Sequence, residues 1–271
     1  MILEIFMIFV ALATTILVTL FAIPTGMGLH YFLPIIILVI SYALSFGLVW
    51  LFLSLFSLPY NKNKKYNKVD KWSQFWFGQA LQFIKIHCNI NLVVNEKAAL
   101  PNERFLLVCN HRSNFDPILI ADKYGKRDLA FISKPSNFKI PIVGRYMKKL
   151  CHLSIDSLDK TQSFQVMKDA IELITNNVSN VAVFPEGRRV YSPEMEPFHE
   201  GVFMIATRSN APIVVATIDG TELVHKRAPF KKTTVTLNII AVLHPEEYKG
   251  MVVKDISDHC YEIMAKDLKK D

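Results

Sequence analysis

His111 and Asp116 stand five residues apart in the turn Asn110-His111-Arg112-Ser113-Asn114-Phe115-Asp116-Pro117, directly after an apolar run. An imidazole becomes a useful general base when a carboxylate holds its other nitrogen, because the partner fixes the tautomer and stabilises the imidazolium. A turn of this length lets Asp116 fold back onto His111. The chain has no GxSxG elbow and no evident Ser or Cys nucleophile to complete a triad. The pair is therefore expected to activate a hydroxyl that belongs to a substrate. Spacing alone leaves plainer roles open: Asp116 as a helix N-cap with Pro117 at the first helical position, and His111 as a hydrogen-bonded histidine at a strand end.

A second polar turn, Pro185-Glu186-Gly187-Arg188-Arg189, follows the apolar run 181–184, some seventy residues further on. Guanidinium forks match phosphate oxygens bidentately, and a glycine permits close backbone approach to such an anion. The alternative is a surface loop whose Glu and Arg side chains pair with one another.

Both turns need a scaffold that brings them together. From about residue 90 the chain alternates short runs rich in Val, Ile and Leu with longer amphipathic ones. Residues 104–109, 129–132, 152–155, 180–184, 212–218 and 233–243 read as strands, and 117–124, 162–176, 201–209 and 256–269 as helices. Such alternation predicts an α/β fold with a largely parallel central sheet flanked by helices. Open sheets of this kind bind ligands outside the carboxyl ends of their strands, so the two turns are expected to line one cleft.

The 271 residues are 51% hydrophobic and carry a formal charge of +7. Their mean hydropathy of +0.24 excludes a disordered chain and points to lipid-facing segments. All 31 Lys and Arg follow residue 60, with all but one of the 24 acids, so the region beyond carries a net +8. Residues 1–23 and 32–58 are each long and apolar enough to span a bilayer core of ~30 Å, the second with some tilt. The intervening Pro24-Thr25-Gly26-Met27-Gly28-Leu29-His30-Tyr31 breaks helices. Neither a basic start nor a small-residue cleavage site marks a signal peptide, so 1–60 is expected to be a two-helix membrane hairpin.

Lys62, Lys64, Lys65, Lys68 and Lys71 crowd the far end of the second span, whereas the loop at 24–31 has no Lys or Arg. The positive-inside rule then predicts a multi-pass protein of the cell membrane with everything after the second helix on the cytoplasmic face. These lysines would also attract anionic headgroups. Residues 61–89 form a basic linker and an aromatic helix (Trp72, Phe75, Trp76, Phe77, Phe83, Ile84) that reads equally as interfacial or as core-packing. Residues 90–271 form the water-facing domain. Cys88, Cys109, Cys151 and Cys260 form no CxxC pair and are expected to be reduced, buried small hydrophobes rather than disulfides or zinc ligands. No nucleic-acid motif accompanies the basic charge, which leaves lipid as its simpler partner.

Asn110–Asp116 and Phe184-Pro185-Glu186-Gly187-Arg188-Arg189 together resemble the first and third signature blocks of the glycerolipid acyltransferases, most nearly the bacterial 1-acyl-sn-glycerol-3-phosphate acyltransferases. The resemblance runs from about residue 72 to 268. It implies His111 as general base and Asp116 as the group that orients it. It places Ser113, Glu186, Gly187 and Arg189 on the substrate side, with Glu186 and Arg189 holding the glycerol phosphate and Gly187 keeping the turn. Pro212-Ile213-Val214 resembles the fourth block, beside the acyl site.

The departures fall on the phosphate grip. The second block usually ends in an arginine, and this chain reads Leu153-Ser154-Ile155-Asp156-Ser157. Arg188 stands where threonine is usual, so Arg188 or Lys160 could supply the missing charge. His199 stands where lysine is common. The resemblance implies acyl transfer from acyl-CoA or acyl carrier protein to the sn-2 hydroxyl of lysophosphatidic acid, giving phosphatidic acid, with no metal and no cofactor beyond the thioester co-substrate. Acylation of another lysophospholipid or of a lyso-aminolipid is the alternative that Ser157 motivates.

Overall fold

The computed structural model describes residues 2–22, 33–58, 66–156, 158–192 and 194–269. The chain divides into two compact units, Met1–Lys62 and Asn63–Asp271. The loop at 24–31, Lys62, Lys64, Lys65 and Ser157 lie outside the described residues.

The first unit contains helices α1 (Ile2–Ala22) and α2 (Leu33–Ser57). Both are long and apolar enough to cross a membrane, and only 17% and 6% of their most apolar windows are buried. Core helices would be mostly buried, so these faces suit lipid. Among the described residues the buried exceptions are Leu3, Met7 and Ala11, four residues apart along one face of α1, and Ser45, Leu53 and Ser57 of α2. The Tyr42 hydroxyl of α2 donates to Glu4 Oε1 of α1 at 3.2 Å, which gives the one acid of this unit a partner.

The second unit runs α3 (Lys71–His87), β1 (Ile90–Glu96), β2 (Leu106–Cys109), α4 (Phe115–Tyr124), β3 (Leu129–Ser133), α5 (Pro135–Phe138), α6 (Val143–Lys149) and β4 (Leu153–Ser154). It continues with α7 (Lys160–Thr175), β5 (Asn180–Val183), α8 (Met204–Ser209), β6 (Ile213–Asp219), α9 (Val224–Arg227), β7 (Thr233–Leu243), α10 (Pro245–Tyr248) and α11 (Val253–Leu268). The strands form one sheet in the order β1-β7-β6-β2-β5-β3-β4. β6, β2, β5, β3 and β4 are mutually parallel, while β7 is antiparallel to β6 and carries β1 parallel beside it.

The sheet is covered on both faces, which is why its central strands read as unbroken apolar runs. In β2, Leu106 and Val108 enter one core with Val181 and Val183 of β5, while Leu107 enters the opposite core with Ala182. α7 packs Val166, Met167, Ala170, Leu173 and Ile174 onto the first core, a helical repeat, and α11 adds Ile256, Cys260 and Met264. α4 closes the second core with Leu119 and Ile120.

Several expected boundaries shift for local reasons. β2 begins at Leu106 because the Phe105 N–H donates to the Asn180 side chain (3.0 Å). β4 shrinks to two residues because the His152 ring turns inward, where Nδ1 accepts from Phe131 N at 2.8 Å. The expected helix 201–209 is a 3-10 turn over Glu200–Phe203 followed by α8. α4 starts at Phe115, with Asn114 in front of it, so Asp116 sits inside the first turn and not at the N-cap. Cys88 is only half-buried, unlike the other three free cysteines.

α3 answers to both readings of its aromatics. Ser73 and Leu81 face inward and Phe77 packs on the first core, while Trp72, Phe75 and Ile86 stay exposed. Its start is fixed by Asp70, whose side chain caps Ser73 N. Lys71, expected among the headgroup-facing lysines, is paired with Asp128 instead.

Candidate active site

β2 is the central strand, and its carboxyl end delivers Asn110–Asn114 to the same sheet edge as the exits of β5 and β6. Asn110 fixes the turn: its Nδ2 donates to Ile218 O (2.9 Å) and its Oδ1 accepts from Ile218 N (2.8 Å). A buried asparagine used this way replaces the ladder bonds that β2 gives up as it leaves the sheet. Sequence alone gives no sign that the Asn110 amide faces β6.

Beyond Asn110 the chain folds back on itself. His111 Nδ1 lies 2.8 Å from Asp116 Oδ2, and the same oxygen accepts from Arg112 N and Ser113 N, both at 2.7 Å. Asp116 is fully buried, and its Oδ1 has no hydrogen-bond partner among the described residues. The imidazole stacks on Phe184 at the end of β5, with ring centroids 4.2 Å apart and planes 20° from parallel. With Nδ1 donating to the carboxyl group, Nε2 is the nitrogen left to take a proton.

Glu186 joins the two turns. Its Oε1 accepts from His111 N (2.7 Å) and its Oε2 from Glu196 N (2.9 Å). The side chain is buried, and burial raises its pKa above the ordinary carboxylate value while the two N–H donors pull the other way. Expected on the substrate side, it is placed as a brace between main chains. Ser113 is similarly turned into the structure, where its Oγ accepts from Phe115 N at 3.3 Å.

Gly187 has φ +67°, a conformation that favours glycine, and a Cβ there would come within 2.7–2.8 Å of the His199 ring. His199 therefore lies directly against the anion-type turn. Arg188 and Arg189 are exposed beside it. Arg188 donates to Glu196 Oε1 at 2.7 Å, so the side chain expected to replace a missing charge already has a carboxylate partner. Arg189 lies over the Tyr191 ring. Lys160 opens α7 after the exit of β4, and Lys134 follows the exit of β3, so both reach this sheet edge. Nothing in the sequence marks Lys134, since a lysine just before Pro135 carries no local signal. Among the described residues, no group of three or more His, Cys, Asp or Glu converges as a metal site would require.

Residues 91–219 match the family model described as acyltransferase. A 1-acyl-sn-glycerol-3-phosphate acyltransferase of Chlamydomonas reinhardtii is 30% identical over 132 residues, covering 49% of this chain and 39% of that protein. One of Limnanthes douglasii is 26% identical over 157 residues, covering 58% and 55%. One of Haemophilus influenzae is 22% identical over 194 residues, covering 70% and 78%. The chain thus spans about two fifths to little more than half of the length of the first two. The crystal structure of the 1-acyl-sn-glycerophosphate acyltransferase PlsC from Thermotoga maritima superimposes with a TM-score of 0.56 at 23% identity, over 74% of this chain and 78% of that one.

Proposed function

We propose that the chain, whose residues 91–219 match the acyltransferase family model, transfers an acyl group from a thioester, acyl-CoA or acyl carrier protein, to the sn-2 hydroxyl of 1-acyl-glycerol 3-phosphate. The observation that carries this reading is the contact between His111 and Asp116 at the carboxyl edge of the central strand. His111 Nε2 takes the hydroxyl proton as the oxygen attacks the thioester carbonyl carbon. The C–S bond breaks as the tetrahedral intermediate collapses, and the leaving sulfur recovers the proton from the imidazolium. Thiolate leaves readily, so base catalysis and positioning supply most of the rate. No covalent acyl-enzyme forms, and the reaction as written takes no metal or cofactor.

Arg189, Arg188, Lys134, Lys160 and His199 are among the cationic or protonatable groups near this edge that could meet the acceptor phosphate. The relatives named as 1-acyl-sn-glycerol-3-phosphate acyltransferases support that acceptor. Ser157 in place of the usual arginine and the Arg188–Glu196 pair favour a second reading, in which the acceptor is another lysophospholipid or a lyso-aminolipid. Two apolar helices and this domain type suit a membrane protein. The lysines after the second helix support a cytoplasmic domain.

The test is acyl transfer by the purified, detergent-solubilised chain to lysophosphatidic acid and to a panel of lysophospholipids, with both donor types. Preference for lysophosphatidic acid is expected. Preference for another acceptor would establish the second reading, and transfer to none would overturn both.

A further inference from the structure

The connection from β6 to β7 crosses the sheet edge that carries His111 and ends in a turn unlike the loops around it. Residues 223–232 hold Lys226, Arg227, Lys231 and Lys232 and no acid. All four cations are exposed, and no described acid pairs with any of them. At the tip stands Phe230, 92% exposed. A single exposed apolar residue is ordinary on a protein surface. Here the tip is ringed by charge of one sign, and its feet are fixed.

The turn is built to hold that shape. Ala228 N donates to Val224 O at 2.8 Å and Lys231 N to Arg227 O at 2.9 Å, which closes it on itself. Val224 on one side and Thr233 on the other are fully buried, and Thr233 N donates to Asn89 O at 3.0 Å. The aromatic tip is thus presented by a hydrogen-bonded main chain with buried anchors.

We propose that this turn is a membrane-docking surface that seats on an anionic phospholipid bilayer, with Phe230 entering the headgroup region and the four cations meeting lipid phosphates. The chemistry is complementary. Aromatic rings settle at the bilayer interface, and basic side chains near an anionic leaflet are attracted to it. A turn of this size falls well short of the ~800 Å² per partner that a stable protein interface buries, whereas a lipid surface needs no matching shape. The helices α1 and α2 supply a reason for a bilayer to be at hand. The surface does not depend on which lysolipid is acylated.

The experiment uses the full chain, reconstituted in vesicles of phosphatidylcholine alone or mixed with phosphatidylglycerol. A nitroxide is attached at Phe230→Cys in a Cys88→Ser background. The control label sits at Val252→Cys, an apolar residue 65% exposed in the connection after β7, at the opposite edge of the sheet. With phosphatidylglycerol present, the label at 230 is expected to lose about tenfold of its accessibility to a water-soluble relaxant and to gain accessibility to oxygen. The label at 252 stays in water. K226Q/R227Q/K231Q/K232Q should return the label at 230 to its phosphatidylcholine level. Equal water access at 230 and 252 in both vesicles overturns the proposal, as does shielding that survives the four substitutions. Shielding at 230 by added acyl carrier protein in detergent, with none from vesicles, assigns the turn to an acidic protein and also overturns it.

Discussion

Three donors converge on one oxygen of Asp116 while its other oxygen, equally buried, receives none from the described residues. This asymmetry separates charge from orientation. In Asp116→Asn the amide oxygen is forced to the side of the Arg112 and Ser113 N–H groups, and the amide nitrogen takes the place of Oδ1. His111 then keeps its tautomer and loses only the anionic partner. The expected result is a fall in kcat of roughly 10²-fold or more, with a loss of roughly 1–3 kcal/mol in stability because the buried amide nitrogen meets no acceptor where Oδ1 stood, read by steady-state kinetics and calorimetry. Glu186→Gln sets an amide N–H against a main-chain N–H at His111 or Glu196, at a cost of roughly 1–3 kcal/mol. As a brace, Glu186 should lower kcat and stability when changed and leave the acceptor KM alone. A raised KM at constant kcat would return it to substrate contact. Gly187→Ala meets both a positive φ and the His199 ring, so it should destabilise by roughly 1–2 kcal/mol, and adding His199→Ala should restore only part of the loss. Spacing permits the side-chain contact of His111 with Asp116 while leaving plainer roles open, and it carries no sign of the inward turn of Glu186 or of the Asn110 clamp. Residue type does not say which main chain a buried polar group will face.

At the scale of elements, the central strands were legible because burial on both faces writes itself as contiguous Val, Ile and Leu. β1 is not legible in the sequence. It sits at the sheet's edge, and Asn91 and Asn95 interrupt its apolar run. The short α5, α6, α9 and α10 fall below the length at which a helical period shows. His152 ties β3 to the start of β4, and burial lowers its pKa from 6.5 to about 4. Between those values the unfolded chain binds the proton that the folded one refuses. Stability should therefore fall as pH drops from 6.5 towards 4, by up to about 3 kcal/mol. His152→Asn keeps an acceptor for Phe131 N and removes the titration. Unfolding measured across this pH range should show a flatter profile for that variant, and an unchanged slope would assign the pH dependence elsewhere.

For the whole molecule, charge separates where hydropathy separates. The first 60 residues hold one acid and no Lys or Arg, and the following domain is strongly basic. The proposed topology predicts that a protease site appended after residue 269 is cut in inside-out vesicles and protected in intact cells. Cleavage from outside intact cells would reverse the orientation. The parallel run β6-β2-β5-β3-β4 brings residues about seventy apart in sequence to one edge, which is why two turns of ordinary composition become one site. The central claim is that His111 at that edge is the base of an acyl transfer. Its most direct test is product formation from acyl-CoA and lysophosphatidic acid by the purified chain and by His111→Ala, side by side, with thermal unfolding followed for both. The account predicts phosphatidic acid from the unaltered chain and loss of transfer in a variant that unfolds at the same temperature; a His111→Ala protein with the full rate would contradict it.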